Sequence, residues 1–236
     1  TGSGKSTTLY TVIEQIRDTS QNIITIEDPV ENHIKGVTQI QINPAIHYTF
    51  ARALKHILRH DPDVIMLGEI RDQETAKMAV ESALTGHLVL STLHTNSAAT
   101  TITRFLEIGI EPYMLASTLL GVLAQRLARC NCKHCLVEEE VDEAIRQAMG
   151  AGPDEVFYKG AGCENCKHRG IKGRRAVYEL LVLSAAIRAR ISTETEADEI
   201  QRIAISEGMT PLTQHALHLA RNKIISLAEA YRVRLD

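Results

Sequence analysis

Three short apolar runs mark the first half of the chain, and polar or acidic residues follow each one directly. The runs are residues 23–26 before Glu27-Asp28-Pro29, residues 64–67 before Gly68-Glu69, and residues 88–90 before Ser91-Thr92. Short apolar runs that alternate with helical periodicity are typical of a parallel sheet buried on both faces. Because chemistry in such sheets gathers at the carboxyl ends of the strands, these polar residues are predicted to face one site.

The chain is predicted to divide into three parts. Residues 1–128 form an α/β core, residues 129–170 a cysteine-containing segment, and residues 171–236 a mostly helical C-terminal segment. Residues 138–149 are expected to be an acidic helix whose first glutamates face solvent. Further helices are predicted to start at Ser184, Thr195 and Thr210-Pro211.

The composition narrows the class of protein. Hydrophobic residues make up 44% of the 236 positions, aromatic residues only 4%, and there is no Trp, so the core must be aliphatic. The net charge of -3 gives no bulk attraction to nucleic acid. No apolar run approaches the roughly 18 residues of a membrane span.

The first seven residues contain the second half of the phosphate-binding motif G-x-x-x-x-G-K-[ST]. Glycines let backbone N–H groups turn towards phosphate oxygens, the lysine supplies a positive charge, and the serine hydroxyl can ligate Mg²⁺. The first glycine of the motif and the strand that normally enters it are expected to precede the chain, which would leave a gap in the sheet. The predicted nucleotide-binding residues here are Thr1, Gly2, Ser3, Gly4, Lys5, Ser6 and Thr7.

Two carboxylates at strand ends are the candidate catalytic groups. Glu69 ends an atypical Walker B sequence, Asp-Pro-Asp-Val-Ile-Met-Leu-Gly-Glu, and Glu27 follows the earlier strand. A carboxylate at such a place can hold Mg²⁺ or orient the attacking water. The sequence leaves open which of the two glutamates acts as the base.

Four motifs, in this order, resemble those of the motor ATPases that drive type II secretion and type IV pilus assembly. They are Gly-Ser-Gly-Lys-Ser-Thr, Ile-Glu-Asp-Pro-Val-Glu, Asp-Pro-Asp followed by Gly-Glu-Ile-Arg-Asp, and Thr-Gly-His-Leu-Val-Leu-Ser-Thr-Leu-His-Thr-Asn. The resemblance implies a RecA-like P-loop ATPase fold, a hexameric ring, and ATP and Mg²⁺ as cofactors. It also implies an N-terminal domain outside this sequence.

The same resemblance assigns roles to further residues. Lys5 and Ser6 would hold phosphates and Mg²⁺, Glu27 would activate water, and Glu69 would act on Mg²⁺ or water. His94 would sense the γ-phosphate or contact the neighbouring subunit. Arg59 would face nucleotide and Arg174 would reach it across the subunit interface, whereas Lys55 stands where the family often has arginine.

Two C-x-x-C pairs predict a structural zinc site. Cys132 and Cys135 form the first pair, and Cys163 and Cys166 follow after 27 intervening residues. Four thiolates can bind Zn²⁺ tetrahedrally with no open position, whereas the fifth cysteine, Cys130, lies outside this spacing. An ATP-binding motif indicates the reducing cytosol, which disfavours disulfides. By resemblance, two such C-x-x-C pairs are typical of the assembly and secretion ATPases and absent from pilus retraction ATPases.

The predicted function is therefore ATP hydrolysis by a cytoplasmic, ring-forming motor. By resemblance it would lie at the bacterial inner membrane, bound through a platform protein that extrudes a pilus or pseudopilus, with secretion and pilus branches both open. One alternative is a zinc-bearing translocase on DNA or RNA, which the scarce aromatic residues and the net charge oppose. A second alternative is a non-hydrolysing structural subunit, which the presence of Lys5, Glu27 and Glu69 opposes.

Overall fold

A computed structural model describes residues 2–234, so the predicted phosphate contact of Thr1 lies outside the described residues. A four-stranded parallel sheet with strand order β2-β1-β3-β4 forms the centre of the first part. The elements up to residue 118 are α1 (Lys5–Ile16), β1 (Ile23–Glu27), β2 (Thr38–Gln41), α2 (Phe50–Ile57), β3 (Val64–Leu67), α3 (Gln73–Leu84), β4 (Leu88–Ser91), α4 (Ala98–Glu107) and α5 (Pro112–Thr118).

The two central strands are fully buried because helices cover both faces of the sheet. All residues of β1 and β3 are buried. Alternate residues point to opposite faces: Ile24 and Leu67 pack in the cluster that contains α2, α3 and α4, whereas Ile23 and Met66 pack with Ile13 of α1. The predicted α/β class and parallel sheet are confirmed, and the carboxyl ends of the strands form one edge.

A long antiparallel ribbon follows the sheet. Its two strands are β5 (Gly121–Asn131) and β8 (Ile171–Val182), which pair from Gly121↔Val182 to Asn131↔Ile171. The cysteine segment is inserted between these strands, and β5 runs through position 128, where the sequence places the end of the core. The inserted elements are β6 (Leu136–Glu138), α6 (Glu143–Met149) and β7 (Tyr158–Gly160).

Four helices complete the described chain and confirm the predicted helical C-terminal region. They are α7 (Ala185–Arg190), α8 (Ala197–Ser206), α9 (Leu212–Arg221) and α10 (Leu227–Val233). Helix α7 begins after Ser184, whose side chain accepts a hydrogen bond from the Ile187 N–H, as predicted. None of the helices in residues 2–234 is long and apolar enough to cross a membrane.

Two predictions about helix starts are wrong. Glu138 ends strand β6, and α6 begins only at Glu143, capped by Asp142. Glu139 is not a solvated helix start: its carboxylate accepts hydrogen bonds from the N–H groups of Leu227 and Ala228, at 2.7 and 3.1 Å. These N–H groups at the start of α10 have no partner within their own helix, and a carboxylate is well suited to them.

The second wrong start is Thr195, since α8 begins at Ala197 and has Glu196 as its N-cap. The Thr195 hydroxyl instead donates to the carbonyls of Arg190 and Ser192, so it stabilises the turn that precedes the helix. Side-chain hydrogen bonds of this kind compete with capping.

A groove separates β4 from the ribbon. Strand β4 is the last strand of its sheet in residues 2–234. Beyond it lies a groove of about 730 Å³ lined by residues of α1, α3, β4 and β5, among them Val12, Val80, Val89 and Leu123.

Candidate functional site

The phosphate loop and the amino end of α1 form one wall of a cavity of about 380 Å³. Gly2 and Gly4 have φ angles of 78° and 85°, a left-handed conformation that favours glycine. The loop turns directly into α1 at Lys5. Because the first N–H groups of a helix are unpaired and its amino end carries partial positive charge, this wall suits a phosphate.

The opposite wall comes from the carboxyl ends of β1 and β3. Glu27, Asp28, Glu69, His94 and Arg174 all line the same cavity as Lys5 and Ser6. The sequence analysis predicted that the polar strand ends face one site, and the structure brings them together. Arg174 lines the cavity from within this chain, whereas the resemblance implied a contact across a subunit interface.

Glu27 is held rigidly by its neighbours. Its side chain is buried, and one oxygen, Oε1, accepts from Thr25 Oγ1 at 2.5 Å and from Gln39 Nε2 at 3.0 Å. The other oxygen, Oε2, accepts from the Tyr10 hydroxyl of α1. Burial and the hydrogen bond to Glu27 raise the pKa of Tyr10, which keeps this hydroxyl protonated as a donor. The three donors fix the carboxylate at the edge of the cavity.

Glu69 is held by charged partners instead. Arg71 Nη2 donates to Glu69 Oε1 at 2.5 Å, and His94 Nε2 lies 3.2 Å from Oε2. The Arg71 hydrogen bond lowers the pKa of Glu69, so the carboxylate is ionised at neutral pH. Arg71 also lies 3.9 Å from Asp28, which links the ends of two strands.

Gly68 lets the Walker B strand approach its neighbour closely. A Cβ at this position would lie 3.3 Å from the Ile26 carbonyl and 3.5 Å from the Cα of Glu27. The Gly68 carbonyl accepts from Thr92 Oγ1 at 2.7 Å, which ties it to the segment after β4. Glu69 is thereby placed beside Glu27 at the edge of the sheet.

Ser6 lies in the first turn of α1, where the sequence predicts a magnesium ligand. Its hydroxyl donates to Glu31 Oε1 at 3.3 Å, and both residues line the cavity. Hydroxyl and carboxylate oxygens are the hard ligands that Mg²⁺ prefers. The residues present therefore fit a magnesium ion carried in with a nucleotide.

Arg59 is not brought to this cavity. It lies in a short 3-10 turn, Leu58–His60, and the side chain of Asn22 donates to the His60 carbonyl at 2.8 Å. Asn22 directly precedes β1, so Arg59 lies at the opposite end of the strand from Glu27. A contact between Arg59 and nucleotide would therefore require the site of another subunit.

Sequence reasoning missed three residues that shape the site: Tyr10, Gln39 and Arg71. Arg71 carries a local signal, since it stands two residues after Glu69 in the Gly-Glu-Ile-Arg-Asp motif. Tyr10 and Gln39 carry none, because they reach Glu27 only through the packing of α1 and β2 against β1.

The four paired cysteines form a separate cluster. The sulfurs of Cys132, Cys135, Cys163 and Cys166 all lie within 4.8 Å of one another, and three of the separations are 3.8–3.9 Å. Tetrahedral Zn²⁺ with Zn–S distances of about 2.3 Å places its sulfurs about 3.8 Å apart. A disulfide needs an S–S distance of about 2.05 Å. The spacing therefore fits a zinc ion, and the four cysteines are unpaired in this structure.

Backbone N–H groups prepare this cluster for a cation. Gly162 N–H donates to Cys135 Sγ, and the N–H groups of Cys163 and Gly170 donate to Cys166 Sγ, all at 3.2 Å. Burial opposes ionisation of Cys166, but hydrogen bonds from the N–H groups of Cys163 and Gly170 and from the neighbouring thiols outweigh it and lower the pKa of its thiol to about 6. At Cys135 burial prevails over the Gly162 hydrogen bond and raises the pKa of the thiol to about 11. Metal binding requires thiolates, so such hydrogen bonds assist it.

Comparisons with known proteins show the family to which the chain is similar. A sequence model of the family described as "Type II/IV secretion system protein" matches residues 1–232. The chain is 49% identical over 233 residues to "Type IV pilus assembly ATPase PilB" of Thermus thermophilus, covering 97% of this chain and 26% of that protein. It is 45% identical over 235 residues to "Type II secretion system ATPase E" of Vibrio cholerae, covering 99% of this chain and 46% of that protein.

Solved structures show the same fold. The chain matches a crystal structure of the pilus retraction motor PilT with bound ADP at a TM-score of 0.74 and 32% identity, covering all of this chain and 59% of that one. It matches the ATPase DotB of Legionella pneumophila at a TM-score of 0.69 and 25% identity, covering 99% of this chain and 57% of that one. The chain spans between about a quarter and a half of the length of the curated relatives that it matches.

Proposed function

The chain belongs to the family of type II/IV secretion system proteins, and from this premise we propose that it is the hydrolytic part of a motor ATPase. The motor would power type II protein secretion or type IV pilus assembly. The observation that carries the proposal is the single cavity of about 380 Å³ that joins Lys5, Ser6, Glu27, Glu69 and His94. Such a set serves phosphoryl transfer, in which positioning and charge supply most of the catalysis.

The phosphate loop would bind the nucleotide. The N–H groups from Gly2 to Thr7 surround the phosphate oxygens, and Lys5 adds a positive charge on the β- and γ-phosphates. The hydroxyl of Ser6 would ligate Mg²⁺, which offsets the negative charge that develops on the phosphates. Arg174 lines the same cavity and adds a second cation for the phosphates.

The two glutamates would have different roles in hydrolysis. Glu27 is fixed by three hydrogen-bond donors. Among residues 2–234, Oε2 accepts from Tyr10 alone and keeps a lone pair for the attacking water. The hydrogen bond from Arg71 lowers the pKa of Glu69, which makes Glu69 the weaker base of the two and leaves it as a charge beside the metal. We therefore assign the water-positioning role to Glu27 and the metal-facing charge to Glu69.

The assembly follows from the family resemblance. We propose a homo-hexamer in which Arg59, at the opposite end of the sheet, approaches the nucleotide of a neighbouring subunit. The motor would be cytoplasmic and would reach the inner membrane through a platform protein of the secretion or pilus machinery. No nucleic-acid partner is expected, since the net charge is -3. The structural cluster of four cysteines would hold Zn²⁺ and brace the segment inserted in the ribbon.

Equilibrium binding of a fluorescent ADP analogue to the full-length protein tests the site. Lys5→Ala removes a charge that contacts phosphate, so we expect affinity to fall at least tenfold, which corresponds to about 1.4 kcal/mol. Lys77→Ala serves as the control, because Lys77 lies exposed on α3 in an ion pair with Glu81. Equal affinity of wild type and Lys5→Ala would contradict the assignment of the phosphate loop.

A further inference from the structure

Gln125, a side chain of strand β5, forms hydrogen bonds with the phosphate loop and with helix α1. Gln125 is half-buried, and its Nε2 donates to the backbone carbonyl of Ser3 at 2.7 Å. Its Oε1 accepts from the hydroxyl of Thr8, in the first turns of α1, at 2.8 Å. One amide thus contacts both the loop and the helix that follows it. The carbonyl of Ser3 can only accept, so its bond also fixes which end of the amide is nitrogen.

The bond to Ser3 sets the direction of the next N–H group. In a trans peptide the carbonyl and the following N–H point in opposite directions. Gln125 lines the groove beside β4 and is absent from the lining of the phosphate cavity, whereas Gly4 lines that cavity. Holding the Ser3 carbonyl on the groove side therefore turns the Gly4 N–H towards the cavity, where phosphate would bind.

Gln125 also packs closely against Gly4 of the phosphate loop. A Cβ on Gly4 would lie 2.9 Å from Gln125 Nε2 and 3.5 Å from a methyl group of Leu127. Residue 4 is glycine because of its φ angle of 85°, and a Cβ there would in addition push the Gln125 amide away from the loop.

The same ribbon brings a cation to the cavity. Gln125 pairs with Tyr178 across the ribbon, and four residues further along Arg129 pairs with Arg174. Arg174 lines the phosphate cavity. The ribbon thus contacts the nucleotide site at two points, through Gln125 of β5 at the loop and through Arg174 of β8 at the cavity wall, so a movement of the whole ribbon would change both.

We propose that Gln125 is a positioning residue of the phosphate loop: with Thr8 it orients the Ser3–Gly4 peptide for phosphate and couples the loop to the β5–β8 ribbon. This inference rests on the nucleotide-binding function proposed above. Gln125 itself contacts no phosphate in this account and acts through Gly4.

The experiment measures Mg-ADP affinity and thermal unfolding of the nucleotide-free, full-length protein for four variants. Gln125→Glu keeps the shape but replaces the donor with a charged acceptor that repels the Ser3 carbonyl. Thr8→Val keeps the shape and removes the hydroxyl, whereas Thr8→Ser retains it. Thr11→Val is the matched control. The Thr11 hydroxyl donates within α1 to the Thr7 carbonyl at 2.8 Å and takes no part in the contact of Gln125 with Ser3 and Thr8.

We expect Gln125→Glu to weaken ADP binding at least tenfold and Thr8→Val about threefold to tenfold, since a lost hydrogen bond typically costs about 0.5–1.5 kcal/mol. Thr8→Ser should recover most of the affinity lost in Thr8→Val, and Thr11→Val should bind within twofold of wild type. If Gln125→Glu fails to fold, Thr8→Val and Thr8→Ser still test the hydrogen bond between Thr8 and Gln125 by changing its donor.

The double variant adds a test of coupling. For this test position 125 is changed to leucine, because Gln125→Glu would keep an oxygen that accepts from Thr8. Gln125→Leu removes both the donor and the acceptor, so the Thr8 hydroxyl loses its partner, and Gln125→Leu with Thr8→Val should bind about as weakly as Gln125→Leu alone. The nucleotide-free melting temperature should fall no further for Thr8→Val than for Thr11→Val.

Two results would overturn the proposal while leaving the proposed function intact. One is wild-type affinity in both Gln125→Glu and Thr8→Val, and the other is an equal loss of affinity in Thr8→Val and Thr11→Val. A wild-type protein that binds no ADP would instead contradict the proposed function itself, together with this inference.

Discussion

Glu229 is predicted to contribute strongly to stability at neutral pH. Its carboxylate is 5% exposed and lies in the first turn of α10. It accepts five hydrogen bonds: three from the N–H, Nε and Nη2 of Arg129, at 2.7, 3.0 and 2.7 Å, and two from Nε and Nη2 of Arg232, at 2.9 and 2.6 Å. Burial opposes ionisation, but the two arginines outweigh it and lower the pKa of Glu229 from 4.5 to about 2.

The magnitude follows from the shift in pKa. A difference of about 2.5 units, at about 1.4 kcal/mol for each unit, corresponds to about 3 kcal/mol of differential stability. Because the pKa is lower in the folded state, this contribution is fully present above about pH 4.5. It is lost as the pH falls from about 4.5 through about 2, where the folded protein also takes up the proton.

The perturbation is Glu229→Gln, which keeps the shape and removes the charge that Arg129 and Arg232 share. We expect the free energy of unfolding in denaturant to fall by about 3 kcal/mol at pH 7. The difference between variant and wild type should shrink at pH 3. Comparing two proteins at one pH cancels the acid lability of the cysteine cluster, because both carry the same cysteines.

Glu155→Gln provides the contrast. Glu155 also forms a bidentate pair, with Arg221 at 2.8 Å, but its side chain is one-third exposed, so solvent screens the pair and the loss should be smaller. A cost below about 1 kcal/mol for Glu229→Gln at pH 7, or an undiminished cost at pH 3, would refute the reasoning.

The remaining predictions concern the metal and the catalytic carboxylates. Metal analysis of the reduced protein should give one Zn²⁺ per chain; Cys132→Ser should lose it and loosen residues 130–168, because metal binding there stabilises the fold. Cys130→Ser should keep its zinc, since the Cys130 sulfur lies outside the cluster of four, and loss of zinc in that variant would show the ligand set to be wrong. In the full-length protein, Glu27→Gln and Glu69→Gln should each bind ATP but hydrolyse it at least a hundredfold more slowly, because each removes a charge that acts on the attacking water or the metal. Single-turnover phosphate release separates binding from hydrolysis. Wild-type rates of hydrolysis in both variants would show that neither Glu27 nor Glu69 has a catalytic role.

Local sequence was sufficient for the parts of the site that are contiguous in the chain. The phosphate loop, the acidic strand ends and the two C-x-x-C pairs each place their functional groups within a few residues, so residue type and spacing predict their chemistry. The parallel sheet followed in the same way, since the buried strands β1 and β3 are short apolar runs between turns.

Apart from the local pair of Arg71 with Glu69 and the turn at Thr195, the contacts that sequence did not predict join distant segments. The β5–β8 ribbon pairs residues across the 39-residue interval between Asn131 and Ile171, so neither strand carries a local signal for the other. Local sequence predicts a helix start at Glu139, whereas its actual partners, the N–H groups of α10, lie almost 90 residues away. Gln125 and Tyr10 were also not predictable from local sequence, because they reach the site only when β5 and α1 pack against the rest of the chain.

Phosphate release from ATP by the full-length protein tests the central claim most directly. We expect Mg²⁺-dependent turnover by the wild-type oligomer and its loss in Lys5→Ala, because Lys5 supplies charge to the phosphates on which turnover depends. The Lys77→Ala control should hydrolyse ATP at the wild-type rate. A folded, zinc-loaded wild-type oligomer that releases no phosphate, or Lys5→Ala that matches it in rate, would contradict the claim that this chain is the hydrolytic part of a motor ATPase.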